Sequence, residues 1–234
     1  MESAKRPIRL TRIQKLIGER MQNSKRIKPC FYIASKVDVT EMMALRPKLR
    51  KSLGVKITTN TFYVRTLALA ISAYPLMAGT LEGENVRIAD EINVGFALNA
   101  PQGLVVPVIK NADTLSLAKI AQMEKVLTEK ARDNKLMLEE MEGETAALSN
   151  LGAYGIDFFI GIVPPPTSVI LSVGNVIPTV VCENKESAAR KMVVLTVAAD
   201  RRIISEVYAA KFLKHIKEQL QEPEQLIQRE IQKK

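Results

Sequence analysis

A chain of 234 residues, 47% hydrophobic and 25% charged with a formal net charge of +9, has enough apolar content for one substantial core and reads as a soluble single-domain globular protein. Its two cysteines, Cys30 and Cys182, lie far apart with neither metal-ligand spacing nor a disulfide framework, which excludes a cysteine-based metal site and a secreted disulfide scaffold and makes a reducing, cytoplasmic setting the expectation. The opening MESAKRPIRLTR has no apolar centre of the signal-peptide kind and no run approaches ~18 unbroken apolar residues, so neither export nor a membrane span is expected.

The positive charge sits at one end. Residues 1 to 56 hold 15 Lys/Arg against 4 Asp/Glu, while residues 57 to 234 hold 19 against 21. Such a lobe attracts nucleic acid, an acidic partner protein or a phosphate-bearing small molecule. The absence of tryptophan, Arg/Gly repeats and zinc-finger spacing makes nucleic acid the weakest of the three, and a solvated face is the plain alternative.

In chain order, a polar lead over residues 1–8 precedes Thr11, which can cap a helix whose apolar positions Ile13, Leu16, Ile17 and Met21 recur at helical spacing. CFYIASKVDVT then alternates, with Phe31, Ile33, Ser35, Val37 and Val39 on one side of a long strand and Lys36 and Asp38 on the other. A charged helix over 40–51 is broken by Gly54, and Asn60 or Thr61 is positioned to cap a mostly buried helix running to Tyr74, where Pro75 stops it. Short strands are expected around 86–88 and 92–98. GLVVPVI, 103–109, reads as one strand buried on both faces, with Pro107 demanding an edge or bulge.

Thr114 opens a long amphipathic helix with Leu115, Leu117, Ile120 and Leu127 inward, and KLMLEEM adds a turn or short helix. A strand near 146–150 follows. VPPPTSVILSVGNVIPTVV carries a proline-locked turn into a buried strand, KMVVLTVAAD is another, and the last helix starts near Glu206 with Val207, Ala210, Leu213 and Ile216 facing in. Helices packed on a sheet whose strands come both singly and in succession define an α+β, or α/β layer, fold.

Four segments, RLTRIQKLIGERMQNSKRIKP, NVGFALNAPQGLVVPVIKNA, LSNLGAYGIDFFIGIVPPPTSVILSVG and DRRIISEVYAAKFL, together resemble the catalytic domain of the dihydrolipoyl acyltransferases of 2-oxo acid dehydrogenase complexes, which shares a fold with chloramphenicol acetyltransferase. The likeness assigns residues 9–222 to the acyltransferase-like core and 223–234 to a polar C-terminal tail. It implies a homotrimer with active sites between subunits, entered by coenzyme A from one end and by a lipoyl arm, here supplied in trans, from the other. Coenzyme A would be a substrate, and no covalently bound cofactor is implied. Further partners would be an active paralogue or other subunits of such a complex.

The family's motif is Asp-His-Arg-x-x-Asp-Gly. Here those positions read Asp200, Arg201, Arg202, Ile203, Ile204, Ser205 and Glu206, so arginine replaces the histidine and Ser205-Glu206 replaces Asp-Gly. A guanidinium has no lone pair to accept a proton and stays charged in proteins, so Arg201 cannot serve as a general base. The resemblance gives Ser149, which precedes Arg201 by 52 residues (201 − 149), the place of the oxyanion-holding hydroxyl. A serine at a strand exit is also ordinary turn chemistry. Gly103, Leu104 and Val105 match the channel-forming strand, glycine there permitting close backbone approach, although a structural strand would show the same residues. His215, fourteen residues past Arg201 and about 21 Å away along a helix, reads as solvent-facing among lysines. Cys30 stands where the family often carries histidine and reads as a small buried residue rather than a reactive thiol.

The likeness therefore points to an acyltransferase-like core that has lost its base and persists as a structural or interaction subunit. The alternative keeps transfer alive, with Ser149 holding the oxyanion and Arg201 stabilising a thiolate.

Overall fold

The computed structural model describes residues 8–183 and 185–227. Thr11 caps helix α1 (Arg12–Ile27) in a capping box with Gln14, satisfying the first free backbone N–H groups. Strand β1 (Cys30–Asp38) follows, then α2 (Thr40–Leu53), which ends on Gly54 at φ +66, a left-handed turn that glycine makes without strain. Helix α3 (Thr59–Ala73) is capped by Thr58, and Thr61 is its partner one turn in rather than the cap itself. Either threonine satisfies the local pattern, and the hydroxyl ahead of the first helical residue wins.

Strands β2 (Gly79–Glu82) and β3 (Asn85–Ile88) form a hairpin, followed by β4 (Val94–Phe96) and β5 (Leu98–Ala100). The GLVVPVI run is not one strand. It splits around Val106-Pro107 into β6 (Gly103–Val105), paired with β5 in a separate two-stranded ribbon, and β7 (Val108–Ile109), the edge of the main sheet. Proline cannot donate to a ladder and ends the pairing there, and Leu104 is 49% exposed instead of buried.

Ser116, not Thr114, caps α4 (Leu117–Arg132). Beyond it lie β8 (Ala146–Asn150), β9 (Val169–Val173), β10 (Ile177–Glu183), the fifteen-residue β11 (Glu186–Asp200) and α5 (Glu206–Gln221). The main sheet is mixed. Its order is β1-β11-β9-β8-β4-β7, with β10 paired to the first half of β11, and β9 and β4 run parallel to β8. On α5 the inward face is Ala209, Phe212, Leu213, Ile216 and Leu220, while Val207 is 67% exposed and Ala210 is also exposed, a rotation from the expected face. Pro223, Leu226 and Ile227 are buried, so packing extends beyond 222, whereas residues 1–7 of the lead and the QREIQKK end fall outside the described residues.

Alternation along β11 sorts the two faces of the sheet. Val193, Leu195, Val197 and Ala199 join the main core under the helices, with α3 between α4 and α5. Ala198 joins Ala147, Val163, Ile170 and Cys30 in a smaller cluster on the opposite face. That second face is covered by α1 and the proline-rich turn: Arg20, Ser24 and Lys28, spaced four apart on and just past α1, donate to the carbonyls of Pro165, Val163 and Thr167. Arg20 also pairs with buried Glu144 at 2.8 Å. The helix is thus fastened by side chain to backbone bonds that its exposed Leu16 does not supply.

Glu124 on α4 is 7% exposed and accepts hydrogen bonds from the hydroxyls of Thr58 at 2.8 Å and Thr61 at 2.6 Å. Burial raises its carboxyl above the usual range despite these bonds and the charge of Lys56. A raised folded-state value means that the associated stability is present at acid pH and is lost as pH rises through that value. Glu124→Gln, which cannot ionise, is expected to unfold at higher urea than the wild type at pH 7, with the difference closing as pH falls toward 4.5, the reference value. Urea midpoints at several pH values test this, and a variant less stable at pH 7 contradicts it.

Candidate active site

The motif begins at the last residue of β11 and ends at the first of α5. Asp200 is fully buried, opposite Cys30 on β1. Its Oδ1 accepts the Arg202 backbone N–H at 3.1 Å and Nε at 3.0 Å, and its Oδ2 accepts Nη2 at 2.7 Å. These bonds raise the Arg202 guanidinium above its already high ordinary value. Backbone N–H groups of Ile203 and Ile204 donate to the Asp200 carbonyl, and the Arg201 N–H donates to the carbonyl of Pro29, tying the turn to the start of β1. Ser205 caps α5 by accepting the Tyr208 N–H at 3.3 Å.

Arg201 points outward, its side chain 53% exposed, and Nε donates to Glu206 Oε1 at 2.7 Å. Two of the three altered motif positions are thus bonded to each other. Hydrogen bonding from its own N–H at the head of α5, then from Arg201, holds the Glu206 carboxyl below the usual range.

Ser149 lies elsewhere in the same protomer. It is half-buried, in register with Ser172 on β9, which is in turn in register with Thr196 on β11, so the three hydroxyls form a row on the face away from α3 and α5. Ser172 Oγ accepts the Gly161 N–H at 3.1 Å, and the Thr196 hydroxyl is buried with no hydrogen-bond partner among the described residues. From Ser149 to Asp200 is two strand spacings across and four residues along, about 16 Å on ordinary sheet dimensions. One subunit therefore does not bring Ser149 and Arg201 together.

Gly103 takes φ +125, and a Cβ there would meet nothing within 4 Å, so its role is conformational rather than the close approach expected. His215 is half-buried rather than solvent-facing: its ring lies 5.7 Å from Tyr74 and Nε2 is 2.7 Å from Gln219 Nε2. Cys30 is a free, half-buried thiol, and burial followed by the Asp200 charge pushes it up, away from the reactive thiolate. Sequence reasoning missed Lys28, whose ammonium is lowered by burial against the partial offset of Asp200. A lysine between a helix end and a strand carries no local sign of a partner some 170 residues away. No group of three His, Cys, Asp or Glu able to hold a metal ion occurs among the described residues, and no described helix is long and apolar enough to cross a membrane.

Residues 2–228 match the model of the 2-oxoacid dehydrogenases acyltransferase catalytic domain. The chain belongs to this acyltransferase family. Similar proteins include the dihydrolipoyllysine-residue acetyltransferase component of the acetoin cleaving system of Bacillus subtilis, 33% identical over 97% of this chain and 58% of that protein, and the mitochondrial pyruvate dehydrogenase protein X component of Mus musculus, 32% identical over 92% and 44%. The chain spans about half the length of these curated relatives. A crystal structure of Azotobacter vinelandii dihydrolipoamide acetyltransferase superposes with a TM-score of 0.92 at 28% identity, covering 96% of this chain and 95% of that one. That work concerned a serine, a histidine and an asparagine in the catalytic mechanism, the histidine 52 residues after the serine and the asparagine 4 further on. Chloramphenicol acetyltransferase, with a TM-score of 0.52 at 13% identity over 86% of this chain and 94% of its own, shares the fold alone. The acyltransferase domain is thus an α+β sheet and helix layer of the chloramphenicol acetyltransferase kind.

Proposed function

We propose that this acyltransferase-family domain serves as a structural or interaction subunit of a 2-oxo acid dehydrogenase type complex and that its own acyl transfer is disabled. Transfer between thiols requires attack of one sulfur on a thioester carbonyl, a tetrahedral oxyanion, and departure of the other sulfur; the attacking thiol's proton must be taken up on the way. Ser149, Arg201 and Ser205 reproduce the spacing of the serine, histidine and asparagine studied in the Azotobacter enzyme. The serine is kept, and the nitrogen base is not.

The observation that carries the proposal is the Arg201 to Glu206 bond at 2.7 Å. It engages the Arg201 Nε with a carboxylate, which also weighs against the alternative in which Arg201 stabilises a coenzyme A thiolate, because that charge is already partly balanced.

An exposed apolar strip supports the reading. Ile156, Phe158, Ile160 and Ile162 are 40, 60, 47 and 39% exposed at every second position of one segment without regular secondary structure, an apolar strip of the kind that marks a subunit contact. A homotrimer would cover it and would bring Ser149 of one subunit toward the motif of the next. A lipoyl domain in trans and an active paralogue are the other partners this role calls for, in the cytoplasm or an equivalent reducing compartment.

The purified chain, given acyl-dihydrolipoamide and coenzyme A at pH 7, is expected to show no turnover above the uncatalysed rate in a sensitive thiol assay. Steady multiple turnover abolished by Ser149→Ala would overturn the proposal.

A further inference from the structure

The basic lobe has a part that acyl transfer leaves unused, the side of α2 carrying Met43, Arg46, Pro47 and Arg50 at helical spacing. The connection from α2 to α3 brings Lys56 and Ile57 beside them, and the six residues line a hollow of about 250 Å³. Met43, Pro47 and Ile57 supply apolar walls, and Arg46, Arg50 and Lys56 supply charge. Arg46 is fixed in place, its Nε donating to the Ile57 carbonyl at 3.3 Å and Nη1 lying 3.6 Å from Met43 Sδ.

None of the three cations enters an ion pair among the described residues. The acid whose charge couples to Lys56 is Glu124, and its carboxylate is already held by the Thr58 and Thr61 hydroxyls. Three cations without an ion-pair contact around one small concavity repel each other, and an anion seated among them relieves that repulsion. The hollow is smaller than the roughly 300 Å³ at which pockets for drug-sized molecules begin, a size that suits one carboxylate on an aliphatic stem.

We infer that this α2 hollow docks an acidic segment of a partner protein, a Glu or Asp side chain reaching between Arg46, Arg50 and Lys56 while a neighbouring aliphatic residue lies on Met43 and Pro47. Charge complementarity selects the occupant. Exposure of Arg50 and Lys56 makes the contact salt-sensitive. The inference does not depend on the state of Arg201.

The test is fluorescence anisotropy of a labelled decapeptide of eight glutamates flanking two leucines, titrated with the full chain at 50 and 300 mM salt. Saturable binding is expected, weakened about tenfold by the added salt and about tenfold by R50E/K56E, which alters only exposed side chains. Arg46→Met, which keeps the apolar packing, is expected to weaken it severalfold. The charge-matched R9E/R12E pair near the start of α1 should change it less than twofold. Equal losses in both double variants would show diffuse attraction and overturn the inference, as would absence of saturation. Inorganic phosphate that saturates the hollow while the peptide does not bind would reassign it to a small anion.

Discussion

Restoring histidine at 201 and glycine at 206 in one chain is expected to raise the rate of acyl transfer from acyl-dihydrolipoamide to coenzyme A by about 10²- to 10⁴-fold over the wild type, the usual worth of a positioned base. Both changes are needed for the full gain. Glu206 lies 2.7 Å from the Arg201 side chain, and a carboxylate left beside a new imidazole would favour its protonated form and withhold the lone pair. Arg201→His alone should therefore give a smaller gain at neutral pH than the double variant. Ser205 remains different from the asparagine of the Azotobacter enzyme, so the lower end of the range is the sharper expectation. Equal rates for wild type and double variant, with the double variant folded and assembled as the wild type is, would mean that the loss of function lies outside these two positions, or that none occurred.

Asp200→Ala is expected to destabilise the fold by about 3 kcal/mol, read as a lower urea midpoint at unchanged slope. The carboxylate is fully buried and serves three donors of Arg202, including a backbone N–H. Its removal strands those donors beside β1, where Lys28 also lies within reach of the Asp200 charge. Glu206→Ala, by contrast, breaks an ion pair whose members are 53% and 56% exposed and should cost under about 1 kcal/mol. The contrast separates the two halves of the motif: the Asp200 and Arg202 pair is structural, and the Arg201 and Glu206 pair is not needed for folding. An Asp200→Ala cost below about 1 kcal/mol would remove that distinction.

Much of this was legible in the residues because the signals were local. The capping box at Thr11, the alternation of 30–38, the left-handed stop at Gly54 and the start of α5 at Glu206 each depend on a few neighbours. That the Arg201 side chain offers no proton acceptor was legible too, since it is a matter of which atoms a side chain possesses. What failed needed tertiary context. GLV and VI differ little as peptides, and their partners, β5 for one and β4 for the other, separate them on either side of Pro107. The inward face of α5 is set by where β1 and α3 lie against it. The bond between Arg201 and Glu206 depends on the turn that Asp200 and Pro29 hold in place, and the stripe Arg20, Ser24, Lys28 has meaning only once residues 163–167 are folded over it.

The most direct measurement is the pH dependence of acyl transfer to coenzyme A by the wild-type chain between about pH 6 and pH 9, with the uncatalysed rate subtracted. Without a protein base, any residual rate must climb in proportion to the thiolate fraction, tenfold per unit up to the thiol's reference value near 8.5, with no earlier inflection. An enzyme-dependent rate that levels off with an inflection between about pH 6 and 7 would show a protein nitrogen accepting the proton, and the reading of Arg201 as the end of catalysis would be wrong.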